Sequence, residues 1–152
     1  MMLMGNRAFP FTLEATQMFN VIDAAFIDWL RALPLQKVMV LHANHANEFD
    51  DSVDAACASL RDAGATLLNQ SVLLRDINDS ADTLTALSER MFAAGVLPYY
   101  LHQLDRVQGA AHFEVTDAVA TSLIEQMRSR LPGYLVPKLV REVGGDPSKR
   151  PL

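Results

Sequence analysis

Thr66-Leu-Leu-Asn-Gln-Ser-Val-Leu-Leu-Arg-Asp-Ile-Asn-Asp79 is the stretch on which the reading of the fold turns. It opens with an apolar run too short for a helix and becomes polar at Asn69, Gln70 and Ser71. A second short run, Val72 to Leu74, then leads to Asn78-Asp79. No stripe at helical spacing passes through it. A run bounded in this way is expected to be a buried strand whose far end enters a loop and then a helix.

The same design occurs once before this stretch and once after it. On the N-terminal side, Val38 to Leu41 is apolar and ends in His42-Ala-Asn-His-Ala-Asn47. Phe49, Val53, Cys57 and Leu60 then share one helical face, with Glu48, Asp50 and Asp51 in the first turn and Gly64 as terminator. After the central strand, Leu84, Leu87 and Met91 mark a helix that Ser80 caps and Gly95 ends. On the C-terminal side, Val96 to Leu101 is followed by His102, Gln103 and Asp105 and a loop through Gly109 and His112. A helix from Thr116 is expected to bury Val119, Leu123, Met127 and Leu131 and to stop at Pro132-Gly133.

Earlier still, Phe26, Leu30 and Leu33 mark a helix with Asp23 as cap and Pro34 as stop. Residues 1–20 show no period and are read as an extension without assigned structure, ahead of a domain over 21–152. Strands beginning near 36, 66 and 96 make a repeat of about 30 residues, the size of a strand-helix-strand unit. The expected fold is α/β, with parallel strands, right-handed crossovers and helices over the face. Three or four strands do not close a barrel, so the sheet is open or part of one. Parallel sheets bind ligands at the C-terminal ends of their strands. His42, Asn44, Gln70, His102 and Asp105 are therefore expected on one rim.

The 152 residues, 50% hydrophobic and 20% charged, suit one compact domain with a substantial core. A net charge of −5, without clustered Lys and Arg, argues against nucleic-acid binding and anionic membranes. No apolar run approaches the ~20 residues of a bilayer span, and the Met-Met-Leu-Met start lacks a basic leader. A lone cysteine, Cys57, excludes an internal disulfide and reads as a core thiol, and the cytoplasm is the simplest compartment.

The polar residues admit several chemistries. His42 and His45, spaced i, i+3, with His102, Asp105 and His112 in a later unit, are parts from which a two-histidine, one-carboxylate metal site can be built. Alternatively, Asn44 or Asn47 caps a helix and the histidines are satisfied by backbone. Asn69 and Gln70 can hold a ligand through their amides or satisfy loop backbone. Asp105 pairs either with a substrate amine or with Arg106. Lys149, four residues after Gly145, is either a solvated tail lysine or a Schiff-base lysine on a loop whose glycines let backbone approach a cofactor.

Five motifs in order resemble the lysine 2,3-aminomutase family: His42 to Glu48, Leu68 to Arg75 with Ile77 to Asp79, Tyr99 to Asp105, Val107 to Phe113, and Gly144 to Lys149. The last two are most similar to the branch that makes β-lysine for translation elongation factor P. The resemblance runs from about Asp23 to the end. It implies part of a (β/α) barrel from a radical S-adenosylmethionine, pyridoxal-phosphate-dependent isomerase. It also implies that Lys149 carries pyridoxal phosphate, Gln70 and His42 line the adenosylmethionine and cofactor cavity, and Asp105 holds a substrate amino group.

The family's Cys-x3-Cys-x2-Cys loop for a [4Fe–4S] cluster, its Gly-Gly-Glu-type segment and its phosphate- and carboxylate-binding arginines have no counterpart here. The chain is thus expected to be the C-terminal half of such an enzyme. Alone it should be inactive, and it should associate with itself or with an N-terminal partner. Other classes remain open: a non-catalytic α/β binding or interaction domain, or a small metal-dependent α/β enzyme built on His42, His45 and Asp105.

Overall fold

The computed structural model describes residues 22–104, 113–141 and 149–152, together with the backbone of 9–14. In chain order the elements are β1 (Phe9–Glu14), α1 (Ala24–Ala32), β2 (Lys37–His42), α2 (Asp51–Asp62), β3 (Ala65–Leu73), α3 (Ala81–Ala93), β4 (Val96–Gln103), α4 (Asp117–Arg128), β5 (Lys138–Arg141) and β6 (Arg150–Pro151). Short 3-10 turns lie at Ala46–Glu48 and Gly133–Leu135.

The six strands form one sheet in sequential order. β1 to β5 are parallel, and β6 returns antiparallel to β5. A doubly wound sheet reverses its strand order at a switch point; this one does not. Sequential parallel strands with right-handed crossovers place every helix on the same side, as in a (β/α) barrel. The partial-barrel expectation is therefore borne out.

Alternation along β3 shows how the two faces differ. Ala65, Leu67, Asn69, Ser71 and Leu73 are buried, whereas Thr66, Leu68, Gln70 and Val72 are not. The buried set faces the helices. Met39, Leu41 and Leu67 pack with Leu30, Val53, Cys57, Leu60, Leu87 and Met91. Leu73, Leu101 and Leu139 pack with Leu84, Leu123, Ile124 and Met127. The other face carries Val38, Val40 and His42 from β2, the Thr66 set from β3, and Leu97 and His102 from β4. Among the described residues no helix lies on it.

Helix boundaries follow local chemistry. Asp23, Asp50, Ser80 and Thr116 cap α1 to α4 by accepting backbone N–H groups. Gly64 and Gly95 close α2 and α3 at φ +88° and +78°, where a side chain would be strained.

The sequence expectations need three corrections. β3 is continuous through Asn69-Gln70-Ser71, because alternation lets those residues point to opposite faces without breaking the ladder. Residues 9–14, to which no structure was assigned, pair parallel with β2. On α4, Val119 is 46% exposed, and Ala120 and Ile124 are buried beside Leu123 and Met127, so the core stripe is rotated from the expected one. Among the described residues, no helix is long and apolar enough to cross a membrane.

Candidate functional site

The C-terminal ends of β2, β3 and β4 are shaped by a buried polar lattice. Asn69, 1% exposed, accepts from the Ala43 N–H at 2.9 Å and donates to the Ala43 carbonyl at 3.0 Å and to Ser71 Oγ at 2.9 Å. Ser71 Oγ donates to the same carbonyl at 2.7 Å. Asn44 Oδ1 accepts from Val72 N–H, and Asn78, fully buried, donates to the carbonyls of Asn44 and Val72 while accepting from Leu74 N–H. Buried amides with partners on both ends fix the backbone they bridge. The result is a rigid rim around His42 and Gln70, which sit opposite each other in register.

Of the two adjacent amides, Asn69 serves backbone and Gln70 serves the open face. Gln70 Oε1 lies 3.2 Å from Lys149 Nζ and 3.2 Å from His102 Nε2, and the lysine and histidine nitrogens are 3.1 Å apart. Lys149 also stands 5.0 Å over the Tyr100 ring, within cation–π range. A residue 79 positions from Gln70 in sequence is thereby held on the rim, part-buried rather than as a free tail lysine.

The two tyrosines are neighbours because of a bulge. Asn69 pairs with Pro98 and Gln70 with Tyr100, which leaves Tyr99 without a ladder partner. Tyr99 and Tyr100 stack with centroids 3.9 Å apart and hydroxyls 3.0 Å apart, and Lys138 lies 5.8 Å over the Tyr99 ring. The hydrogen bond shared with Tyr99, then burial, pushes the Tyr100 phenol above its usual range, so it stays protonated and uncharged. Nothing in the sequence reading singled out this pair, since a bulge leaves no composition signal.

His102 joins Gln70 and Lys149, as the rim expectation required. His42 lies at the end of β2 beside them in register. His45 caps the 3-10 turn, its Nδ1 accepting from Asn47 N–H and the Glu48 carboxylate accepting from the His45 backbone. The turn is thus capped by His45 rather than by Asn44 or Asn47. Among the described residues no three His, Cys, Asp or Glu side chains group as metal ligands. Asp105 and His112 lie outside the described residues.

Pyridoxal phosphate, S-adenosylmethionine and a [4Fe–4S] cluster are implied, and the described residues bear on the first and the last. A half-buried amine flanked by an amide, an imidazole and an aromatic face suits an aldehyde cofactor. Cys57 does not suit an iron–sulfur cluster: it is alone and fully buried, and burial pushes its thiol up to about 11. No step through a cluster is derived for this chain.

A one-sided parallel sheet with its polar rim at the strand ends has a counterpart among solved structures. The crystal structure of a radical SAM methyltransferase from Sphaerobacter thermophilus matches with a TM-score of 0.59 at 17% identity, over 79% of this chain and 38% of that one. The fold is accordingly that of part of a radical SAM barrel.

Sequence relatives narrow this. L-lysine 2,3-aminomutase of Escherichia coli is 55% identical over 131 residues, covering 86% of this chain and 38% of its own. That of Haemophilus influenzae is 49% identical over 84% of this chain and 38% of its own, and that of Clostridium subterminale 38% identical over 73% and 27%. The chain is homologous to the C-terminal part of the L-lysine 2,3-aminomutases, and it spans about 38% of the length of the first of these relatives. No family model matches it.

Proposed function

We propose that this chain forms the pyridoxal-phosphate side of a lysine 2,3-aminomutase-type isomerase site, for conversion of lysine to β-lysine. The observation that carries this reading is the Lys149 amine on the rim, between Gln70 and His102 and over Tyr100, in a chain 55% identical to such an enzyme. Lys149 would hold the cofactor. Gln70 and His42 would line the cavity for it and for adenosylmethionine, and Asp105 would hold a substrate amino group by charge. When bound, pyridoxal phosphate would supply electron delocalisation for migration of the amino group. The protein residues at the rim would orient the groups.

One cysteine in 152 residues cannot supply a three-cysteine cluster site, so radical generation requires residues beyond these. The product would serve modification of translation elongation factor P, as the motifs at Val107 to Phe113 and Gly144 to Lys149 suggest, in the cytoplasm. The uncovered face and the sheet edges would drive association with itself or with an N-terminal half.

The test is titration of the protein with pyridoxal phosphate, with Lys149→Ala alongside. A band at about 420 nm, set by the cofactor's own chemistry, should appear, be trapped by borohydride on the Lys149 peptide, and be absent in the variant. Trapping elsewhere, or no trapping, refutes the assignment.

A further inference from the structure

Lys149 can react with a carbonyl only after it loses a proton, because the ammonium form has no free electron pair. The groups around Nζ bear on where that proton goes. Gln70 Oε1 only accepts, so one N–H of Lys149 is directed to it at 3.2 Å whether the amine is charged or neutral. His102 Nε2, at 3.1 Å, is different in kind: an imidazole nitrogen accepts when bare and donates when protonated. It is also 3.2 Å from Gln70 Oε1, so the three atoms form a closed triangle.

Both proton placements keep a hydrogen bond between Lys149 and each neighbour, while the Nε2–Oε1 side is bonded only when Nε2 carries a proton. With the proton on Nζ, the ammonium donates to Gln70 and to His102. With the proton on Nε2, the imidazolium donates towards the neutral amine and the Gln70 oxygen, while the amine still donates to Gln70. No group has to move between the two states. The imidazole is steadied at its edge by Tyr100, 5.7 Å away in a T-shaped contact, and the Asn69 lattice fixes the backbone on either side of Gln70.

We propose that His102 is the positioning residue for Lys149: it takes the proton from the ammonium while Gln70 keeps the nitrogen in place, leaving a nucleophilic amine aimed over the open face. The inference rests on the reading of Lys149 as a reactive amine. It assigns to His102 a part that neither the homology nor the fold match assigns. In the step, the Nζ–H bond breaks, its proton passes to Nε2, and the electron pair stays on Nζ to form the new bond to carbon.

The test needs no cofactor. Trace acetylation with acetic anhydride at neutral pH forms an N–C bond, releases acetate, and sheds the remaining nitrogen proton to water. Mass spectrometry then gives the rate at Lys149 relative to exposed Lys138 in the same chain. In His102→Ala the ratio should fall on the order of tenfold, modest beside the ~10²-fold and more that positioned proton transfer contributes to catalysis. Added imidazole should restore it, by occupying the vacated space.

His102→Gln keeps hydrogen-bonding capacity without taking up a proton. It should be as slow as His102→Ala and should not respond to imidazole. An unchanged ratio in His102→Ala, full reactivity in His102→Gln, or failure of imidazole to rescue a folded His102→Ala overturns the proposal. If acetylation behaves as stated but pyridoxal phosphate is not trapped on Lys149, the cofactor assignment falls and the His102–Lys149 relation stands. The reverse result removes only the latter.

Discussion

Replacing Asn69 by alanine should be among the more damaging single changes in the sheet, although the residue touches no reacting group. Its side chain supplies the acceptor for Ala43 N–H, and Ala43 is fully buried. The Ala43 carbonyl is better protected, since Ser71 Oγ still donates to it at 2.7 Å. The perturbation therefore orphans one buried N–H, at about 1–3 kcal/mol, and removes a net hydrogen bond worth about 1 kcal/mol, for a total of about 2–4 kcal/mol. Ser71→Ala is the control: the Ala43 carbonyl keeps the Asn69 amide at 3.0 Å, so the expected loss is about 1 kcal/mol. With a urea m-value of about 2 kcal/mol per molar, Asn69→Ala should lower the unfolding midpoint by about 1–2 M. A loss below about 0.5 kcal/mol, or one no larger than that of Ser71→Ala, refutes the view that this lattice holds the rim.

Cys57 should resist Ellman's reagent in the native protein at pH 8 and react fully once unfolded, because burial first, then the nearby Asp54 charge, pushes its thiol up to about 11; rapid native labelling would contradict this. Asp50 is held below its ordinary value, chiefly by the Ser52 hydroxyl and then by the Val53 N–H. A lowered folded-state value means that its stabilisation is present above the unfolded value of 3.8 and is lost as pH falls through the folded one. The gap in Tm between the protein and Asp50→Ala should accordingly persist at neutral pH and close in acid. Gly95→Ala should cost more than Gly64→Ala, by thermal unfolding. Both sit at positive φ, worth about 1–2 kcal/mol, but a Cβ at Gly95 would meet Arg61 Nη1 at 1.9 Å, whereas at Gly64 the nearest atom is Lys37 Nζ at 3.4 Å. Equal losses would show that Arg61 yields freely.

Much of the architecture is local and was legible in the sequence. Short apolar runs begin near 36, 66 and 96, and the strands start at Lys37, Ala65 and Val96. Asp23, Ser80 and Thr116 identify helix starts because a side-chain oxygen satisfies N–H groups within three residues, whereas Asp50, read as a first-turn acid, is the cap of α2, and Glu48 lies in the 3-10 turn before it. The misses have different causes. On α4 two apolar stripes offset by one residue compete, and only packing against Leu101 and Leu139 selects Ala120 and Ile124 over Val119. Residues 9–14 pair with β2, and their alternation of Phe9, Phe11 and Leu13 with Pro10, Thr12 and Glu14 is a strand signal that the reading passed over. The rim was legible as a set, since strand ends in parallel sheets converge. Which members touch was not, because the Lys149–Gln70 contact spans 79 positions. Nor could sequence separate Asn69 from Gln70, whose opposite duties depend on the face each one meets.

The unpaired Tyr99 gives β4 two phases. Before it, the core residue is Val96; after it, the core residues are Leu101 and Gln103, an odd number of steps away. His102 reaches the open face because Tyr99 is left out of the ladder; counted in, it would put His102 six steps from Val96 and on the same face. Deleting Tyr99 would remove the bulge yet keep every other pair, Pro98 with Asn69 and Tyr100 with Gln70, so Val96 would stay in the core and His102 on the open face; only the tyrosine pair would be lost. The chemistry of the rim thus depends on where the strand takes up its extra residue as much as on the identity of its side chains: a second residue added beside Tyr99 and drawn into the ladder would act as a frameshift in space.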